Sequence, residues 1–271
     1  MTTATRFIDD PKVQATARAA YEAEGCLIVD DVFSAAQLAR MNETWAQISG
    51  GRRQEGKKPY ATLLMMHGST PGVAEIVRDR RLVACIEGVL GGKVELIQSQ
   101  LMYGAPGVKG FSAHQDNFYN RAVPSDGIVA AWIALEDVDQ ENGALAIFPA
   151  SHKGGLVEAR RDWLYLLGRS PDVAKSLLRR IVPSLQKAPD DSSVIERFVH
   201  AKSDGNAEPK TLSMKAGAVA FMHGDLIHYS HPNRTTGRFR HSLLANYIRV
   251  GTTFASGKLT GRVPFDIYAA G

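Results

Sequence analysis

Cysteine is nearly absent from this 271-residue chain: Cys26 and Cys85 are the two, each inside an apolar run (GCLIV, LVACI). Thiols in such surroundings behave as small buried hydrophobes, so no disulfide is expected, in keeping with a reducing, cytoplasmic setting. Long apolar runs are also missing. No stretch reaches the roughly 18 residues that a membrane-spanning helix needs. The N-terminal MTTATRFIDDPK has no apolar core of the kind that marks a signal peptide. Dense Lys/Arg blocks are lacking as well, and the net charge is a modest +4, so neither nucleic acid nor a membrane surface is an expected partner. Repeats and low-complexity tracts are absent.

What remains is ordinary globular material, 44% hydrophobic and 22% charged, enough for one large domain over 1–271 with its own core. Residues 1–92 read mainly as helices. Asp10-Pro11 marks a helix start and Gly25 its stop, CLIVDDVF (26–33) is a strand, and Ser34 caps a second helix that ends at Gly50-Gly51. A polar loop follows over 51–60, and a further helix is predicted over 72–90. The pattern then changes to short apolar or alternating runs: VELIQSQLMYGA, GIVAAWIALEDV, GALAIFPA, GAVAFMHGDLIHYS and FRHSLLANYIRV. Gly, Pro, Asn and Asp clusters separate them, which predicts antiparallel strands closing into a jelly-roll core over about 93–150 and 212–250. The charged 153–210 segment reads as an insertion or lid.

His114-Gln115-Asp116 is the first candidate for chemistry. If extended, the triplet turns an imidazole and a carboxylate to one face. His228 in LIHYSHPN offers a third ligand, and two histidines with one carboxylate form the facial triad of non-haem iron(II) oxygenases, leaving positions for a chelating cosubstrate and dioxygen. A cosubstrate with a distal carboxylate needs a guanidinium. Arg240 offers one, and Arg238 two residues earlier competes for the role.

These residues sit in a longer pattern: QSQLMY, AHQDNFY, AAWIALEDVDQENGALAIFPASH and HGDLIHYSHPNRTTGRFRHSL, in that order. The chain resembles the phytanoyl-CoA dioxygenase family of Fe(II)/2-oxoglutarate-dependent oxygenases over about 20–150 and 212–250. The resemblance implies a double-stranded β-helix (jelly roll, cupin-like) core with flanking helices. It implies His114, Asp116 and His228 as iron ligands and Arg240 with Ser230 on the 2-oxoglutarate carboxylate, with Trp132 against the cosubstrate and Gln98 a weaker match beside it. Ala150 stands where the family has glycine, and the His228-to-Arg240 interval is one residue longer than in some members, which keeps Arg238 open. Asn142-Gly143 reads as a structural turn. His223 and His231 flank the distal ligand, His152 and His241 read as hydrogen-bonding residues, and His67 and His200 have no evident partner.

The implied reaction is oxidative decarboxylation of 2-oxoglutarate to succinate and carbon dioxide, coupled to hydroxylation of a C–H bond in a small molecule. Related halogenases have a small residue in place of the carboxylate, so Asp116 favours hydroxylation. The alternatives are a cupin-like metal enzyme without 2-oxoglutarate and a non-catalytic jelly-roll binding module. Residues 153–210 hold 11 Lys/Arg against 8 Asp/Glu. A basic lid there, with Arg160, Arg161, Arg179 and Arg180 near Trp163 and Tyr165, would favour an anionic substrate; a solvated helical face is the plainer reading.

Overall fold

A computed structural model of the chain describes residues 2–49, 61–111, 113–157, 208–257 and 260–269. A short strand β1 (Thr2–Thr3) and helix α1 (Ala4–Asp9), neither foreseen, precede α2 (Pro11–Glu24). The start and stop of α2 are as expected. The Asp10 carboxylate accepts the Lys12 and Val13 N–H groups at 2.9 and 3.3 Å, and Gly25 closes the helix at φ 80°. Strand β2 (Cys26–Asp30) follows, then α3 (Ala35–Ser49), opened by a reciprocal box in which Gln37 N–H donates to Ser34 Oγ and Ser34 N–H to Gln37 Oε1. The predicted Gly50-Gly51 stop and the 51–60 loop lie outside the described residues.

After β3 (Ala61–Leu64), the helix expected over 72–90 is in fact two, α4 (Pro71–Val77) and α5 (Arg80–Leu90). The break has a local cause: the Asp79 side chain accepts the N–H groups of Arg81 and Leu82 at 2.9 and 3.1 Å, starting a new helix where an unbroken one would have left no free donors. Every strand run then appears. They are β4 (Val94–Gly104), β5 (Ile128–Ala134), β6 (Leu145–Ile147), β8 (Val219–His223), β9 (His228–Ser230) and β10 (Arg240–Arg249). Between them lie a one-turn helix α6 (Asn117–Asn120) and a short β7 (Lys210–Thr211).

A seven-stranded sheet, β1-β2-β8-β5-β10-β4-β3, faces a three-stranded one, β7-β6-β9. This is the jelly roll. The long central strand β10 pairs with β4 on one side and β5 on the other, placing Arg240 opposite Gly104, Leu244 opposite Gln100 and Trp132, and Asn246 opposite Gln98 and Ala130. Alternation splits its side chains. Leu243, Ala245 and Tyr247 join the large core with Phe7, Leu82 and Ile86 of the helices, whereas Leu244 joins Met102, Trp132 and Met222. The N-terminal helices therefore cover the outer face of the large sheet, and its other face is left for the site. Cys26 and Cys85 are free and buried as expected, and burial pushes both thiols up to about 12. No described helix is long and apolar enough to cross a membrane.

Candidate metal centre

His228 stands at the head of β9 and pairs with His114 through a two-residue bridge, His114 N–H to His228 O at 2.9 Å and the reverse bond at 3.0 Å. That pairing sets the imidazole centroids 4.3 Å apart. The expected extended geometry stops there. Asp116 is helical (φ −62°, ψ −35°) and leads into α6, so a bend, rather than strand alternation, carries its carboxylate round to the histidines. The bend is held from both sides. Gln115 donates to the carbonyls of Gly155 and Asp225 at 2.9 and 2.6 Å, and Asn117 Nδ2 donates to Asp225 Oδ1 at 2.8 Å.

Asp116 Oδ1 ends 3.6 Å from His114 Nε2 and 4.0 Å from His228 Nε2, and one ligand atom from each residue lies within 4.8 Å of the others. Among the described residues this is the one such group of His, Cys, Asp and Glu. Its protonation suits a cation. His228 Nδ1 lies 3.0 Å from the Leu226 carbonyl, which can only accept, so the ring proton sits on Nδ1 and the Nε2 lone pair faces the cluster. Burial pushes the His228 ring down to about 4, and the nearby His114 acts in the same direction, so the ring is neutral near pH 7. Burial alone would raise the Asp116 carboxyl. The His114 hydrogen bond and the charges of His228, His114 and Arg262 outweigh it and hold the carboxyl below its usual range. Asp116 Oδ2 is buried without a hydrogen-bond partner. An ionised, buried oxygen of that kind is costly unless something positive meets it, and a divalent metal fits these three residues.

Arg240 is completely buried, its guanidinium 5.5 Å from the ring centre of Trp132, which is itself 1% exposed. Gly104 makes the room: a Cβ there would stand 3.2 Å from Arg240 Nε. Arg238 goes elsewhere. It lies before β10 begins, so the expected sharing of one strand face does not arise, and it forms a half-exposed surface pair with Asp139 at 2.8 Å. Ser230 is buried and its hydroxyl accepts the Phe111 N–H at 2.8 Å. Gln98 is also buried, but its oxygen accepts the Arg262 Nε–H at 2.6 Å and its amide reaches Gln100 at 3.2 Å.

Arg262 is the residue that sequence reading missed. It lies in GRVPF, beyond every motif, and no local spacing singles it out. The other described histidines have partners of their own. His223 Nδ1 accepts the Asp225 N–H, His231 contacts Thr211 Oγ1, His152 the Glu22 carbonyl, His241 Glu136, and His67 the Ser99 hydroxyl. Asn142 is fully buried and ties Asp139, Asp137 and Phe239 backbone together, a structural turn as expected. Ala150 sits at φ 63°, a conformation glycine adopts more readily, which accounts for the glycine that the resemblance implies there. His200 and the lid residues Arg160, Arg161, Trp163, Tyr165, Arg179 and Arg180 lie outside the described residues.

The family model described as "Phytanoyl-CoA dioxygenase (PhyH)" matches residues 21–242. An ectoine dioxygenase of Bordetella parapertussis is 28% identical over 228 residues, covering 79% of this chain and 68% of the relative. Among solved structures, the ectoine dioxygenase EctD of S. alaskensis with 2-oxoglutarate and 5-hydroxyectoine superposes with a TM-score of 0.62 at 20% identity, covering 91% of this chain and 80% of that one. The epimerase SnoN from nogalamycin biosynthesis, in complex with Fe3+ and alpha ketoglutarate, gives 0.65 at 18% identity, covering 90% and 87%.

Proposed function

The chain belongs to the phytanoyl-CoA dioxygenase family, and from that premise we propose that it is an iron(II)- and 2-oxoglutarate-dependent dioxygenase that hydroxylates an unactivated C–H bond of a small-molecule metabolite. The observation that carries this reading is the convergence of His114 and His228 on Asp116 Oδ1, with the second carboxylate oxygen of Asp116 buried and unpartnered. His114, Asp116 and His228 would hold the iron, and Arg240 would hold the distal carboxylate of 2-oxoglutarate. Iron and 2-oxoglutarate, when bound, supply the oxidising chemistry with dioxygen, releasing succinate and carbon dioxide.

The chain's own residues prepare the site. The Leu226 carbonyl keeps His228 in its ligating tautomer. The Arg240 guanidinium offers the paired donors that a carboxylate needs, and Trp132 packs beside it. Ser230 uses a lone pair on Phe111, so its hydroxyl proton remains available to a carboxylate. Gln98 borders the same interior, with its oxygen directed to Arg262. The reading takes 1–271 as a single oxygenase domain, with 153–210 as an insertion or lid.

The test is metal analysis followed by succinate release. Purified protein reconstituted with iron(II) should bind one equivalent and release succinate only when 2-oxoglutarate is present; Asp116→Ala should lose both properties. Retention of iron and full turnover by that variant would remove the basis for the assignment. Turnover without 2-oxoglutarate would instead identify a cupin-like metal enzyme.

A further inference from the structure

Arg262 is 6% exposed and lies close enough to Asp116 for each to feel the other's charge. Its partners are all neutral. Nε–H donates to Gln98 Oε1 at 2.6 Å, and Nη1 donates to the carbonyls of Tyr119 and Ala255, each at 3.2 Å. The two protons on Nη2 meet no acceptor among the described residues, and no described carboxylate comes within 4.0 Å of the group. Other arginines differ: Arg18, Arg238 and Arg249 each face an acid at the surface. Nη2 is not among the buried atoms left without a partner, so this edge borders accessible space that an anion could enter.

The charge balance of the site points the same way. Iron(II), ionised Asp116 and doubly charged 2-oxoglutarate would together leave one negative charge, which Arg240 would cancel. Arg262 is not needed for that balance, and the other buried acid nearby, Asp225, is engaged by Asn117. Polar atoms on the adjoining strands are also unmet: Asn246 Oδ1, Ser242 Oγ and Trp132 Nε1 are buried without partners, and Asn246 is in register with Gln98, the residue that holds Arg262.

We propose that Arg262 anchors the substrate through a single carboxylate oxygen on Nη2, so that the substrate is a small monoanionic acid. The inference rests on the oxygenase reading above. It places anion recognition on the C-terminal segment rather than on the basic insertion. A carboxylate suits the free edge because one nitrogen with two protons grips one oxygen. A phosphate would bring further charge toward Asp116 with no donors to meet it.

The experiment uses the full chain loaded with iron(II) and 2-oxoglutarate without oxygen. The probes are acetate, benzoate, cyclohexanecarboxylate and N-acetylglycine, each beside its primary amide. The readout is the change in the iron–2-oxoglutarate charge-transfer band, with stimulated 2-oxoglutarate decarboxylation as a second measure once oxygen is admitted. Acids should perturb the band and amides should not. Arg262→Gln should weaken the acid response by about thirtyfold or more, with iron content and 2-oxoglutarate affinity within about twofold of the parent, and Arg262→Lys should restore part of it. Equal action by amides, no acid outperforming its amide, or an unchanged response in Arg262→Gln would overturn the proposal. A parallel fall in 2-oxoglutarate affinity would also overturn it, since Arg262 would then only brace the Asp116 segment through the Tyr119 carbonyl. Failure of the unsubstituted protein to form the band at all would instead overturn the oxygenase reading.

Discussion

Replacing Arg240 with alanine should cripple binding of 2-oxoglutarate while the same change at Arg238 leaves it almost untouched. The magnitudes follow from where each side chain ends. Arg240 is 0% exposed and lies against Trp132, so a carboxylate meeting it would be desolvated on every side. Truncating one partner of such a pair costs about 2–5 kcal/mol, or roughly 30- to 4,000-fold in affinity. Arg238 and Asp139 are 47% and 43% exposed, and a surface pair of that kind contributes only about 0–1 kcal/mol, to stability and not to ligand binding. The assay is calorimetric titration of the iron-loaded protein with 2-oxoglutarate, together with the Michaelis constant from succinate release. Because removing a buried guanidinium could also loosen the fold, Arg240→Lys serves as a second variant. It keeps the charge but cannot make two parallel hydrogen bonds, and it should fall between the parent and alanine. A larger loss from Arg238→Ala than from Arg240→Ala would refute the reasoning, because the surface pair would then have to be the cosubstrate anchor.

Two further outcomes follow from the geometry. A Cβ at Gly110 would collide with the Ser230 carbonyl and come within 2.8 Å of His231 backbone, so Gly110→Ala should destabilise the chain by about 1–3 kcal/mol and lower its iron content, measured by thermal melting and metal analysis; an unaltered melting point would contradict this. Acid should weaken the metal-free protein in a defined window. His228 titrates at about 4 when folded against 6.5 ordinarily, so the unfolded chain binds the extra proton as pH falls from 6.5 to 4, and about 3 kcal/mol present above that window is lost within it. Burial lowers His67, His152, His223 and His231 too, with the same sign. Denaturant titrations across that range should show stability rising with pH, more shallowly in His228→Gln, and a flat profile would contradict the assigned shift.

Much of this protein was legible from neighbours along the chain. The Asp10-Pro11 start, the Gly25 stop and the short apolar runs of β4, β5 and β10, punctuated by turn residues, depend on local hydrogen bonding and local composition, which a sequence displays directly. The three candidate ligands, which the fold brings together, were legible because their residue types and surrounding motif announce them. Other features depended on register and on contacts between distant segments. The order of helices α4 and α5 turns on Asp79 acting as a cap, where composition alone reads as one helix. Asp116 reaches the histidines through a bend braced by Asp225, a residue more than a hundred positions away. That Arg240 is buried while Arg238 lies at the surface depends on where β10 begins and on the space that Gly104 leaves on the neighbouring strand. Arg262 shows the limit most plainly. Nothing adjacent marks it, and it reaches Gln98 and the Tyr119 carbonyl only because the C-terminal segment folds back, with Phe265 bridging to Leu96. Sequence indicated most of the elements and the candidate metal ligands because those are written in short-range pattern; the tertiary structure decided which charged groups are buried, because burial is a property of the assembled chain.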